Sequence, residues 1–195
     1  MFKLLGFTLA ASIAGGYLAG GRIRRLADVQ FRGTPFLLGS LIVALAPLAV
    51  ELPNSTARWL TAAANVVVVA FLVVNVRAHH GAVRAGLAIV ALGWTLNAIV
   101  IASNGGMPLS VWAYEHSGQT DTITAGQDGF YKIVVAGEDS RLRFLGDAIP
   151  IRALGQVVSA GDVLLSIGIG VVVGGGMRGV AAIRAPRAPT PPAAA

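Results

Sequence analysis

The chain alternates between long apolar stretches and short polar connections, a pattern that predicts membrane-spanning helices. Four stretches contain no charged residue: 4–20, 34–50, 59–76 and 85–103. A fifth, 157–177, contains a single charged residue, Asp162. Each is close to the ~20 apolar residues that cross the hydrocarbon core of a bilayer. We therefore expect an all-α fold, a five-helix integral membrane bundle, with residues 1–177 forming one transmembrane domain.

Composition agrees with this expectation. Hydrophobic residues make up 55% of the 195 residues and charged residues 12%, whereas a soluble domain carries roughly a quarter charged residues. The chain has no cysteine, which excludes disulfides and thiolate metal sites. The net charge of +6 comes from basic residues beside the ends of the apolar stretches. The sequence lacks the basic patch interleaved with aromatic residues that is typical of nucleic-acid binding. The expected partner is the lipid bilayer, with no cofactor, and the oligomeric state stays open.

The basic residues also predict an orientation. The first connection, the third connection and the C-terminal tail together hold nine of them: Arg22, Arg24, Arg25, Arg32, Arg77, Arg84, Arg178, Arg184 and Arg187. The N-terminus and the second connection hold only Lys3 and Arg58. Since short cytoplasmic loops retain Lys and Arg, we expect a bacterial cytoplasmic membrane protein with its N-terminus outside and its C-terminus cytoplasmic. A cleaved signal peptide over residues 1–20 is the alternative.

The long connection, residues 104–156, is then extracytoplasmic. Residues 130–136 and 141–145 flank a polar turn, Gly-Glu-Asp-Ser, and this arrangement predicts a small β-hairpin. After the fifth stretch, residues 178–195 are rich in Ala and Pro and predict a disordered cytoplasmic tail.

Small and polar residues predict where the helices meet, because close packing and hydrogen bonds drive helix association in lipid. A four-residue repeat of such residues marks the first span: Thr8, Ser12, Gly16 and Gly20. A similar stripe marks the fifth span: Ser159, Asp162, Ser166, Gly170 and Gly174. Asn65, Asn75 and Asn97 are expected to hydrogen-bond between helices or, alternatively, to line a polar pathway.

Three motifs in the second half of the chain resemble a family of uncharacterised bacterial multi-spanning membrane proteins, a domain of unknown function. They are NGGMP at 104–108, LGDAIP at 145–150 and VVSAGDVLLSIG at 157–168. The resemblance implies membrane location and topology, and it implies no reaction.

The motif residues are also the candidate binding or structural site: Asn104, Gly105, Gly106, Met107, Pro108, Gly146, Asp147, Pro150, Ser159 and Asp162. Asp162 fits a capping box with Ser159, or else a buried acid that takes a proton or cation from a water-filled cavity. Asp147 fits an Asx turn, or else converges with Asp162 and Asn104 at the outer mouth of the bundle.

Histidines and nucleophiles do not form a recognisable catalytic or metal site. His79 and His80 are adjacent in a turn that we expect to be solvated, and His116 has no companion. We therefore expect a non-enzymatic accessory or scaffolding component that binds another membrane or envelope protein, or lipid, through residues 104–156. The alternatives are a small transporter or ion-conducting protein that uses Asp162, and a membrane-surface enzyme that uses Asp147, Asp162 and His116.

Overall fold

A computed structural model describes residues 2–49, 54–119 and 133–179 of the chain. Its α-helices are α1 (Phe2–Leu18), α2 (Thr34–Ala49), α3 (Asn54–Ala78), α4 (Gly81–Asn104), α5 (Val111–His116) and α6 (Ala160–Met177). Its strands are β1 (Met107–Leu109), β2 (Ile133–Val135), β3 (Asp147–Ile151) and β4 (Gln156–Ser159). Short 3-10 helices cover Ile23–Asp28, Arg143–Leu145 and Arg152–Leu154.

All five predicted apolar stretches contain a helix, although the helices differ in length. Three are long and apolar enough to cross a membrane: Trp59–Ala78, Gly81–Asn104 and Ala160–Met177. The first two stretches form shorter apolar helices, Lys3–Leu18 and Thr34–Leu45. The fold is therefore mostly helical with three candidate spans. The last helix begins at Ala160 instead of residue 157, because residues 156–159 form a strand.

The long helices lie side by side in the order α2, α3, α4, α6, α1. The most extensive contact is between α4 and α6, at the centre of this row. The edge helices α1 and α2 leave large apolar side chains exposed, among them Leu18, Phe36 and Ile42.

Glycines spaced seven residues apart bring α4 and α6 together. A Cβ on Gly93 of α4 would lie 2.6 Å from the Gly161 carbonyl oxygen of α6, and one on Gly168 would lie 2.7 Å from the Gly86 carbonyl oxygen. Gly175 continues the α6 series against Ala82. The two helices are thus antiparallel, and their backbones approach to a distance that only glycine allows. We call this contact the glycine seam.

The predicted small-residue stripes account in part for a different contact, between α6 and α1, because Ser159 and Asp162 of the second stripe bond to Asn97 of α4 instead. A Cβ on Gly170 would lie 2.9 Å from Ser12 Oγ, and one on Gly16 would overlap the Met177 sulfur. The stripe on α1 therefore does face α6, with the two helices parallel. Gly20 and Gly174 do not take part, because a Cβ on either would meet nothing within 4 Å.

A four-stranded sheet, in the order β2-β1-β3-β4, covers one end of the helices. β1 runs parallel to β2 and β3, and β3 runs antiparallel to β4. We call residues 107–119 and 133–159, which contain this sheet and α5, the cap. The sequence predicts a connection with one small β-hairpin over residues 104–156, whereas the described part of it contains a four-stranded sheet and a short helix.

The predicted β-hairpin is wrong in its position. Residues 133–135 do form a strand, but it pairs in parallel with Met107–Leu109, and residues 130–132 lie outside the described ranges. The expected second strand is instead a 3-10 helix, Arg143–Leu145. The chain turns at Leu142, where φ is 52°, and this left-handed conformation ends any extended run. The hairpin that does form joins β3 to β4.

The end of the helices opposite the cap is rich in arginine. The Arg22 N–H donates to the Met177 carbonyl oxygen at 2.8 Å, which joins the end of α1 to the end of α6. The Asn75 side chain bonds both the N–H and the carbonyl of Arg32, at 2.8 and 3.0 Å. Seven exposed arginines lie here, at what we call the arginine end: Arg22, Arg24, Arg25, Arg32, Arg77, Arg84 and Arg178. The predicted disordered tail lies, apart from residues 178 and 179, outside the described residues.

Candidate functional site

A closed polar cluster lies where the glycine seam meets the cap. The Ser159 hydroxyl accepts from the Asp162 N–H at 3.0 Å, and Asp162 Oδ2 accepts from the Ser159 N–H at 3.3 Å. Asn97 Nδ2 of α4 donates to Asp162 Oδ1 at 2.9 Å, and the Ser159 hydroxyl donates to Asn97 Oδ1 at 2.9 Å. Ser159 and Asp162 therefore form the capping box predicted from their spacing, and Asn97 completes it from the neighbouring helix.

This cluster explains how an acid is tolerated at the start of an apolar helix. Asp162 is 2% exposed and Ser159 is fully buried. Both carboxylate oxygens of Asp162 accept hydrogen bonds, and the carboxylate lies in the first turn of α6, where the helix dipole favours negative charge. Gly161 makes the arrangement sterically feasible, because a Cβ at that position would overlap the Asn97 amide. The cluster is thus one structural unit with the glycine seam.

Asp147 lies next to this cluster, and one of its carboxyl oxygens has no hydrogen-bond partner among the described residues. It is the first residue of β3 and pairs in register with Ser159 of β4 and Leu109 of β1. Its side chain is 7% exposed, and the oxygen concerned is Oδ1. Burial, followed by the nearby Asp162 carboxylate, raises the pKa of Asp147 from 3.8 to about 7. Asp147 therefore lies in a strand instead of the Asx turn offered as one interpretation.

Asn104 does not join the two acids. Its side-chain amide donates to the Arg141 carbonyl at 2.8 Å, and its Oδ1 accepts from the Arg141 N–H at 2.8 Å. The structure thus brings Asp147 and Asp162 together and uses Asn104 elsewhere, to fix the segment around Arg141 against the end of α4.

The remaining motif residues build the junction between α4, the cap and α6. Gly105 ends α4 in the left-handed conformation, with φ 69°, which glycine adopts without cost. Met107 and Pro108 are buried in β1, and Gly106 is buried beside them. A Cβ on Gly146 would overlap the Pro108 carbonyl oxygen, so glycine permits this close approach. Pro150 pairs with Val157 in the hairpin.

The spanning asparagines support the hydrogen-bonding interpretation. Trp94 Nε1 of α4 donates to Asn65 Oδ1 of α3 at 3.0 Å, and Asn97 joins α4 to α6 as described above. Asn75 holds the Arg32 backbone. Each of these asparagines therefore links two parts of the chain.

The histidines are placed partly as expected. His79 is 1% exposed, so the expectation of a solvated turn is wrong for it. Its Nδ1 lies 2.8 Å from the Asn75 carbonyl oxygen and its ring packs on Phe31 with centroids 5.6 Å apart. His116 stacks on Trp112 at 4.5 Å. Within the described ranges, no group of three or more His, Asp or Glu residues is placed to hold a metal ion.

These features define a helical protein with three helices long and apolar enough to span a membrane and a small sheet at one end. The chain belongs to DUF5317, described as a family of unknown function, whose sequence model matches residues 28–174. This match confirms the resemblance to an uncharacterised family that the sequence motifs predict. Comparison with curated proteins and with solved structures gives no significant match.

Proposed function

We propose that the chain is a multi-pass protein of the bacterial cytoplasmic membrane, with its N-terminus and cap outside and its arginine end in the cytoplasm. The supporting observation is charge: the described residues of that end include seven exposed arginines and one acidic residue, Asp28. Such an excess is typical of cytoplasmic loops. A reporter that is active only in the cytoplasm, fused after residue 195, is expected to be active. An inactive fusion at normal protein level would contradict this orientation.

We further propose that the protein is a non-enzymatic accessory or scaffolding component that binds another membrane or envelope protein through its cap. One observation carries this proposal: the cap exposes large apolar side chains outside the candidate spans. Trp112 is 58% exposed and Phe144 is 71% exposed. Aromatic side chains are enriched at protein interfaces, and exposed apolar patches commonly mark them. Stacking on His116 also holds Trp112 in place, which reduces the entropy lost on binding.

Site-specific photo-crosslinking in cells tests this proposal. A photo-crosslinking amino acid replaces Trp112 in one variant and Phe144 in a second, and the matched control replaces Glu138, an exposed polar residue of the same cap. We expect the same discrete protein adduct from the first two positions and none from the control. Adducts to lipid alone, or identical adducts from all three positions, would contradict a protein-binding cap.

A second candidate function is proton- or cation-linked transport, and one observation favours it. Asp147 is a buried carboxyl of the cap with an unpartnered oxygen beside a second acid, and buried acids with raised pKa values are common at functional sites. The sequence suggests Asp162 for this role, but both of its carboxylate oxygens already accept hydrogen bonds, and we therefore propose Asp147 instead. Proton flux in vesicles containing wild-type protein that disappears in Asp147→Asn would support transport, and absence of wild-type flux would contradict it.

A further inference from the structure

An apolar groove lies between α1 and α6 directly beneath the cap. Its volume is about 490 Å³, within the range of roughly 300–1,000 Å³ for small-molecule sites. Its walls are formed by Leu4, Phe7 and Ala11 of α1 and by Val163 and Ile167 of α6, with Ile151 of β3 at the cap end. The groove is separate from the Asp147–Asp162 cluster, since neither acid lines it.

The shape of the groove follows from the way that α1 packs on α6. The two helices touch at Ser12–Gly170 and again at Gly16–Met177, and they leave a gap toward their N-terminal ends. Phe7 is 64% exposed and Ile167 is 50% exposed, so the gap opens sideways. In a membrane this opening faces the lipid tails.

The inner surface of the groove suits a hydrocarbon chain. Three hydroxyl-bearing residues, Thr8, Ser12 and Ser166, also line it, and the Ser12 hydroxyl donates to the Thr8 carbonyl oxygen of its own helix at 2.6 Å. The other wall residues named above are aliphatic or aromatic. A hydrocarbon chain lying here would gain van der Waals contact along two helices without burying that hydroxyl unpaired.

Two basic residues, Lys3 and Arg152, lie next in the chain to residues at the cap end of the groove. Lys3 precedes the groove residue Leu4, and its Nζ lies 3.7 Å from the position that a Cβ on Gly155 would occupy. Arg152 follows the groove residue Ile151, begins the 3-10 helix Arg152–Leu154 and is exposed. Its Cγ lies 3.6 Å from the position that a Cβ on Gly118 would occupy, beside the end of α5. Lys and Arg side chains at this depth extend naturally toward the headgroup layer.

From this combination we propose that the groove binds one acyl chain of an anionic glycerophospholipid, whose phosphate contacts Lys3 and Arg152. The assignment rests on the proposed membrane location and is independent of what the cap binds. In the proposed orientation the bound lipid belongs to the outer leaflet.

Lipid binding to the purified full-length chain in detergent tests the proposal. Native mass spectrometry compares phosphatidylglycerol with phosphatidylcholine at equal acyl composition. We expect tighter binding of phosphatidylglycerol by about thirtyfold, which corresponds to two basic contacts at the membrane surface. The double variant Lys3→Gln/Arg152→Gln is expected to lose this preference while it still binds both lipids weakly. The matched control Arg24→Gln/Arg84→Gln removes equal charge at the arginine end and is expected to keep the preference for phosphatidylglycerol.

A second pair of variants tests the groove itself. Ala11→Trp fills the groove and is expected to weaken binding of both lipids, whereas Ile42→Trp on the exposed face of α2 is expected to have no effect. Competition by glycerol phosphate at lipid-like concentration would identify a free phosphate as ligand and overturn the proposal. Equal affinity for the two lipids, or unchanged binding by Ala11→Trp, would also overturn it.

Failure of this proposal can be distinguished from failure of the proposed membrane location. Recovery of the native chain in a detergent-free soluble fraction would contradict the location. Loss of lipid preference in a chain that still requires detergent would contradict only the lipid site.

Discussion

Small residues have different roles on the two faces of α6. Toward α4, Gly161, Gly168 and Gly175 allow backbone-to-backbone contact over the length of the helix. Toward α1, close contact is limited to positions such as Gly170 and Met177, and the rest of the interface opens into a groove. The difference shows that small residues hold two helices in close contact only where a small residue on one helix lies opposite a small residue on the other. The first face forms the core, and the second leaves room for a ligand.

The largest effect is expected from a methyl group added to the glycine seam. Gly168→Ala places a Cβ 2.7 Å from both the Gly86 carbonyl and the Val90 backbone nitrogen, so α4 and α6 must separate. We expect a loss of about 3 kcal/mol or more in the free energy of unfolding, or failure to fold, measured by thermal or denaturant unfolding in detergent. The matched control Gly174→Ala adds the same methyl where nothing lies within 4 Å and is expected to be neutral or slightly stabilising. Equal effects of the two substitutions would contradict the seam.

The next effect concerns Asp147 at the cap end of the seam and depends on pH. Because the pKa of Asp147 is about 7 in the folded protein and 3.8 for an unperturbed Asp side chain, as in the unfolded chain, the folded state holds the proton more tightly than the unfolded state. Stability from this group is thus full below about pH 4 and falls as pH rises to about 7. Asp147→Asn removes this loss, so we expect the variant to be more stable than wild type above pH 7, by up to about 4 kcal/mol. The difference should vanish near pH 4, and a pH-independent difference would contradict the burial of a titrating carboxyl.

A smaller effect is expected at the hydrogen bond between α4 and α6. Asn97→Ala removes the amide that bonds both Asp162 and Ser159 and leaves a buried carboxylate with one fewer donor. We expect a loss of about 2 kcal/mol. A double-mutant cycle with Asp162→Asn measures the coupling, which we expect to be about 1 kcal/mol or more. Strict additivity of the two substitutions would show that Asn97 and Asp162 do not act as a unit.

The smallest effect is expected on the α1 side. Ser12→Ala removes a hydroxyl that bonds only its own helix, at the Thr8 carbonyl, so we expect a change within about 0.5 kcal/mol. The same unfolding assay provides the comparison with Gly168→Ala. A loss as large as that of the seam variant would mean that α1 and α6 are held together as firmly as α4 and α6.

The sequence predicts the parts of this fold that depend on local pattern. Apolar stretches predict helices, and the Ser-x-x-Asp spacing of Ser159 and Asp162 predicts the capping box that forms. The sequence also contains the seven-residue spacing of Gly161, Gly168 and Gly175, which overlaps the four-residue stripe on the same helix. Gly86 and Gly93 on α4 have the same spacing. The glycines that face α4 can therefore be identified only once α4 and α6 are known to pair.

Other features depend on distant parts of the chain and are not predictable from local pattern. β2 pairs with β1 in parallel, across more than twenty residues, and no turn signal marks such pairing. His79 is buried because Phe31 packs on its ring, and Phe31 lies almost fifty residues earlier. The partners of Asn97, Asp162 and Ser159, are likewise set by the pairing of α4 with α6.

The central claim is that a membrane separates the cap from the arginine end. Because the chain has no cysteine, two single-cysteine variants test it directly: Glu138→Cys in the cap and His80→Cys at the arginine end, both at exposed positions. A thiol reagent that cannot cross the cytoplasmic membrane is added to cells whose outer layers are permeable and whose cytoplasmic membrane is intact. We expect it to label Glu138→Cys only, and to label both variants after lysis. Labelling of both positions before lysis, or of His80→Cys alone, would contradict the account.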